Sequence, residues 1–170
     1  MDPASVMAGD LESAPEPRSS YRYFEDFVAG DTVELGSIAF SEADIVDFAR
    51  TYDPQPMHTD PEAARGSIYG GLIASGWQTA TGYMRMLVDR IMRDSHSLGS
   101  PGIENLRWLK PVRPGDTLRG RFTVLDAKVS RSRPDRGIVR SRGEMLNQQD
   151  EVVMQVEAVN FFGRRPEGDR

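Results

Sequence analysis

Between Ser67 and Met84 the chain carries no charged residue, and this run narrows the folds open to it more than any other feature. Four glycines together with Ser75, Gln78, Thr79 and Thr81 make it too polar for a lipid-spanning helix, so it reads as a segment buried inside a globular domain. Gly70-Gly71 leads into a helix predicted from about Ile73 to Arg93. Small and apolar residues surround its first half, and Arg85, Asp89 and Arg93 form one charged stripe at four-residue steps further on. A helix of that kind must be wrapped by a sheet for most of its length. After Gly99 the pattern turns to alternation: Glu104, Leu106 and Trp108; Leu118, Phe122 and Val124; Val139 and Met145; Val152, Met154, Val156 and Ala158. Four consecutive strands account for it, with turns at Pro114-Gly115-Asp116, Pro134 to Gly137 and Asn147 to Asp150. The expectation is an α+β domain, one antiparallel sheet curled around a long central helix.

Ahead of that helix, a short strand is expected around Asp31 to Phe40. Ser41-Glu42-Ala43-Asp44 then opens a helix with a variant of the capping box, and Ile45, Phe48, Ala49 and Tyr52 give it one apolar face. Pro54 ends it. Asp53 and His58 follow, five residues apart on a loop stiffened by Pro54 and Pro56, a spacing that can place a carboxylate and an imidazole on one small molecule. A further turn of helix is expected at Asp60-Pro61, with proline in its first position.

At 170 residues the chain is one domain with one sizeable core. Residues 1 to 20, acidic and proline-bearing, read as a disordered tail without the features of a signal peptide, and Gly163 to Arg170 read as frayed. The net charge of −5 argues against nucleic acid or an anionic membrane as the main partner. The absence of cysteine removes disulfides and thiolate chemistry, and two distant histidines leave any zinc site leaning on carboxylates. There are no internal repeats.

The motif Asp53-Pro54-Gln55-Pro56-Met57-His58 resembles the Asp-x-Asn-Pro-x-His signature of the MaoC-like dehydratases, the family of (R)-specific enoyl-CoA hydratases. Gly70 to Gly76 looks like that family's entry into its central helix, and Leu109 to Asp116 like its second-strand turn; the resemblance covers roughly residues 21 to 162. It implies the hotdog fold, a cytoplasmic enzyme, and addition of water to a trans-2-enoyl-CoA or its reverse. Asp53 and His58 would share one catalytic water, the Gly76 N–H at the helix N-terminus would receive the enolate oxygen, and neither cofactor nor metal would be required. Three positions depart from the family pattern. Gln55 replaces asparagine and Ser75 replaces a frequent histidine. Met84 stands where some members carry a serine bonded to the aspartate, with Thr81 as a substitute.

Simpler readings stand beside these. Gly76 could serve close helix–sheet packing, Ser75 a helix cap, and His96 an exposed loop. Trp77, Tyr83 and Met84 read as core, one of which could floor an acyl pocket, Trp108 reads the same way, and Ser75, Trp77 and Tyr83 are also candidates for substrate contact. Arg131, Arg133, Arg136, Arg140 and Arg142 read as a solvated hairpin tip, or as partners for the phosphates of coenzyme A. A thioesterase of the same fold, or a non-catalytic acyl-CoA-binding subunit, are the alternative functions. The family's carboxylate in such thioesterases lies on the central helix, where this chain has none before Asp89. An uncovered sheet edge and helix face imply at least a homodimer.

Overall fold

The computed structural model of the chain describes residues 21–167, so the tail expected over residues 1 to 20 lies outside the described residues. A 3-10 turn at Phe24–Asp26 precedes strand β1 (Thr32–Ala39), helices α1 (Glu42–Tyr52), α2 (Pro56–Thr59), α3 (Pro61–Arg65) and α4 (Gly76–Leu87), and strands β2 (Gly102–Ile103), β3 (Arg107–Trp108), β4 (Thr117–Val129), β5 (Arg136–Leu146) and β6 (Val152–Gly163). The strands form one antiparallel sheet in the order β1-β4-β5-β6-β2, with β3 also on β6. The sheet curls about α4, which packs on β1, β4 and β5, and the fold is the expected hotdog. Ile38, Leu87, Leu118, Phe122, Met145 and Phe162 belong to the single core between helix and sheet.

Local sequence accounts for the helix boundaries. Ser41 caps α1 by accepting from Asp44 N at 3.1 Å, and the Asp44 carboxylate accepts from the Ser41 hydroxyl rather than from the Ser41 N–H as the expected capping box would have it. Asp60 caps α3 by accepting from the N–H groups of Glu62 and Ala63, with Pro61 in the first position. The central helix begins three residues later than expected. Leu72 to Ala74 stay outside the helix because their backbone is used by neighbours: Ile73 N–H donates to Met57 O at 3.2 Å and Ala74 N–H to Val112 O at 2.8 Å. The helix then ends in a π-helical turn at Val88–Met92 instead of continuing as α-helix to Arg93.

Two further expectations are corrected. The strand expected over Glu104 to Trp108 is broken into the short pairs β2 and β3, both laid on β6, and Trp108 is half exposed rather than in the core. Residues from Gly163 are not frayed at once: Gly163 closes β6, Arg164 and Arg165 bond Glu25, and the Arg165 guanidinium also bonds Asp26 and lies 4.9 Å from the centre of the Tyr23 ring. No helix among the described residues is long and apolar enough to cross a membrane.

Candidate active site

Asp53 is the C-cap of α1, held by its own N–H donating to Ala49 O at 2.8 Å, while Ile45, Val46, Phe48 and Ala49 anchor that helix in the core. Pro54 stops the helix there, and two residues on the chain enters α2 with Pro56 at its first position. His58 therefore sits in a short helix, not in an irregular loop as the two prolines suggested. Its ring is buried, and Nδ1 lies 2.8 Å from Ile73 O. A carbonyl can only accept, so Nδ1 carries the proton and Nε2 is turned toward Asp53, 3.5 Å from Oδ2. That gap is too long for a good direct hydrogen bond and suits a single small molecule touching both groups.

The Asp53 carboxylate is gripped from both sides. Ser75 Oγ donates to Oδ2 at 2.7 Å and Gln55 Nε2 to Oδ1 at 2.7 Å. These donors, Ser75 first, hold the carboxyl below the ordinary aspartate value, against partial burial that pushes it up; His58 adds to the lowering. Each carboxylate oxygen keeps a second lone pair for another donor. Ser75 does two things at once: its oxygen also accepts from Trp77 N at 3.3 Å as the N-cap of α4. The expected cap is thus also the group bonded to Asp53. Thr81 does not take that place, because its hydroxyl donates to Gln78 O within the helix, and Met84 faces half-exposed into a pocket.

Gly76 follows as the first residue of α4. Its N–H has no protein partner among the described residues, as befits the open end of a helix. A side chain is excluded here: an added Cβ would lie 2.4 Å from Trp108 Cε2, since the Trp108 indole covers this turn and donates from Nε1 to Gly76 O at 2.8 Å. Trp108, unnoticed as a site residue because its position in an alternating run reads as core, is edge-on to Trp77 with ring centroids 5.4 Å apart. The close-packing reading of Gly76 and the free N–H coexist.

From Trp77 a cavity of about 290 Å³ runs along α4 to Leu87. Ten residue-to-residue steps along the helix make it roughly 15 Å long. Tyr83 and Met84 on the helix and Met154 and Val156 on β6 line it, with Ile103 at its mouth. Of the three helix residues expected in the core, Tyr83 is buried while Trp77 and Met84 are half exposed. All three border this cavity.

The hairpin tip around Arg131, Arg133 and Arg136 is at the wrong end for this site within one chain, while Arg140 and Arg142 lie further along β5 and are committed to ion pairs. Arg136 pairs with Asp135, Arg140 with Glu104, and Arg142 with Glu157. Met145 pairs with Met154, which also pairs with Trp108 at the Gly76 end, whereas Gly137 packs on Phe24; eight strand residues, roughly 26 Å, separate the two. His96 is exposed as expected, and its ring lies against Gly163. Among the described residues no group of three or more His, Asp or Glu converges on a point where a metal could sit.

Comparison with known proteins shows the family of the chain. The family model described as "MaoC like domain" matches residues 26–142. The crystal structure of a MaoC-like dehydratase from Rhodospirillum rubrum superposes with a TM-score of 0.79 at 43% identity, covering 85% of this chain and 99% of that one. A 3-hydroxybutyryl-CoA dehydratase of Methylorubrum extorquens is 30% identical over 158 residues, 90% of this chain and 92% of that protein. The Bacillus subtilis protein YdeM, itself uncharacterized, is 29% identical over 133 residues, 78% of this chain and 93% of that protein.

Proposed function

Taking as premise that the chain belongs to the MaoC-like dehydratase family, we propose that it adds water to a trans-2-enoyl-CoA, or removes it from a 3-hydroxyacyl-CoA, at Asp53 and His58. The observation that carries this reading is the 3.5 Å gap between His58 Nε2 and Asp53 Oδ2, each group fixed by its own partner, beside the open N-terminus of α4. The name of the Methylorubrum relative supports the reaction class.

Water bonded to both groups from beside that gap donates one proton to the unprotonated Nε2 as its oxygen bonds to the β-carbon. Asp53, kept ionised by Ser75 and Gln55, orients the same water, and the pair returns one proton to the α-carbon. Negative charge on the thioester oxygen meets the Gly76 N–H and the positive end of the helix dipole. The protein ends the cycle with the protons it began with. The bulk of the Trp108 and Trp77 rings shields this end from solvent, and the acyl chain lies along α4 in the cavity.

A thioesterase reading finds no support on the central helix. Gly76–Leu87 carries no acidic residue, and Asp89 beyond it is held between Arg85 and Arg93 at 2.6 Å from each. Trp77, Met84 and Val88 leave an apolar helix face exposed, which supports the proposal of a homodimer or larger homo-oligomer.

The test is an assay of purified protein with a panel of trans-2-enoyl-CoA thioesters, following alkene absorbance and free thiol together. Loss of alkene without thiol release is expected. Thiol release with the alkene intact would replace this reading with the thioesterase, and no change in either would replace it with a binding subunit.

A further inference from the structure

The cavity along α4 is apolar apart from Ser100, whose hydroxyl is committed to the Gly102 and Val159 carbonyls, and three groups that are more than nine-tenths buried: Tyr83, Ser141 and Asn160. Strand register places them. Tyr83 packs flat on Gly143, where an added Cβ would come within 2.2 Å of Cζ, and Ser141 and Asn160 lie further along the same faces of β5 and β6, away from Trp108. Asn160 Nδ2 donates to Ser141 Oγ at 3.0 Å, and that is the one hydrogen bond the three side chains make among the described residues. All three side chains line the cavity, and the Tyr83 hydroxyl and the Asn160 amide oxygen make no hydrogen bond with the protein among the described residues. Neither of these two is sealed from solvent, since the fully buried side-chain polar atoms left without a partner among the described residues are Gln78 Oε1 and Arg90 Nε; a chain that displaces water from the cavity without replacing its hydrogen bonds to these groups loses affinity.

The unused capacity has a chemical shape. Two hydroxyl donors and one amide acceptor match a group that both accepts and donates, which is an alcohol. A carboxylate fits poorly, since no lysine or arginine lines the cavity and the Asn160 oxygen would face it. A ketone would leave that same oxygen unpaired. A plain hydrocarbon chain would leave all three groups unpaired. Burial keeps Tyr83 in its phenol form, so it remains a donor across the working pH range.

We infer that the acyl chain taken by this pocket carries an uncharged hydroxyl group on its distal part, received by Tyr83, Ser141 and Asn160. This rests on the reading of the cavity as the acyl site of a hydratase. Asp53 and His58 act at one end of α4 and the alcohol is recognised at the other, so chain length and hydroxyl position are selected together.

The test compares pairs of trans-2-enoyl-CoA thioesters of equal length, one plain and one hydroxylated near the chain end, by kcat/KM. Wild type is expected to favour the hydroxylated member by about tenfold or more at one length. Ser141→Ala and Asn160→Leu should each shrink that preference while leaving turnover of trans-2-butenoyl-CoA, too short to reach them, unchanged, and Tyr83→Phe should shrink it as well. Equal kcat/KM within every pair, with the plain chains turned over well, would mean that water satisfies these groups and would overturn the inference while the hydratase reading stands. If neither member of any pair is hydrated, the hydratase reading fails. Calorimetric titration with the saturated thioester pair then decides the pocket: tighter binding of the hydroxylated member sustains the inference, and equal or absent binding overturns it.

Discussion

The two ends of α4 are built on opposite rules. At the N-terminal end every polar atom of Asp53, Ser75 and the His58 ring edge away from the gap has a partner, and the one opening left is a 3.5 Å space between a carboxylate and an imidazole. Toward the other end Tyr83, Ser141 and Asn160 share one hydrogen bond among three buried polar side chains. A fully satisfied network fixes geometry, which a proton-transfer step needs. An unsatisfied one waits for a ligand and discriminates between ligands. The first end should therefore control turnover and the second the choice of chain.

The largest expected effect breaks the first end. Asp53→Asn and His58→Gln, each close in shape to the original, should lower hydration of a good enoyl-CoA by about 10² to 10⁴ fold with the melting temperature nearly unchanged. Steady-state kinetics beside a thermal melt check this. A loss confined to KM would move these residues from chemistry to binding.

Ser75→Ala removes the strongest donor to Asp53 and leaves Gln55 in place. We expect kcat to fall by about tenfold to a hundredfold, and the acid limb of the pH–rate profile to move to higher pH. The sign follows from the lowering: the donor stabilises the ionised carboxyl, so its removal raises the pH needed to ionise Asp53. The same lowering makes Asp53 a contributor to stability that is present above its unfolded value and lost as pH falls through the folded one, and this contribution should shrink in Ser75→Ala. An unmoved acid limb would detach Ser75 from the aspartate.

Trp108 covers the first end, and Gly76→Ala tests its fit. The added methyl meets the indole, so a loss of about 1 to 3 kcal/mol in stability is expected together with reduced turnover, and Trp108→Ala in the same chain should recover part of the stability. Denaturant melts of the single and double variants measure it. The smallest effect is that of Asp89→Asn. It breaks two exposed ion pairs with Arg85 and Arg93, which should cost less than about 1 kcal/mol and leave turnover untouched. A large loss of activity there would revive the central-helix carboxylate of the thioesterase reading.

The two ends also differed in how far the sequence disclosed them. Asp53, His58, Ser75 and Gly76 lie within twenty-four residues and are joined by caps and prolines, whose local rules are written in the sequence. Even there, the backbone bonds of Ile73 and Ala74 to distant Met57 and Val112 could not be read, and they delayed the helix to Gly76 and freed Ser75 to reach the aspartate. Trp108 was misread because alternation reports which face a side chain takes, while an edge of two-residue strands has little core on either face. Ser141 and Asn160 carry no local signal at all. They meet through the pairing of β5 with β6, nineteen positions apart, and a serine and an asparagine in a strand are otherwise ordinary outward residues.

The measurement that bears most directly on the shared water is the double-mutant cycle of Asp53→Asn and His58→Gln on kcat for hydration. If the two groups act on one water as a unit, removing either already disables the step, and the double variant should lie within about threefold of the poorer single one. Losses that multiply would contradict the account, because they would show two groups acting independently across the gap.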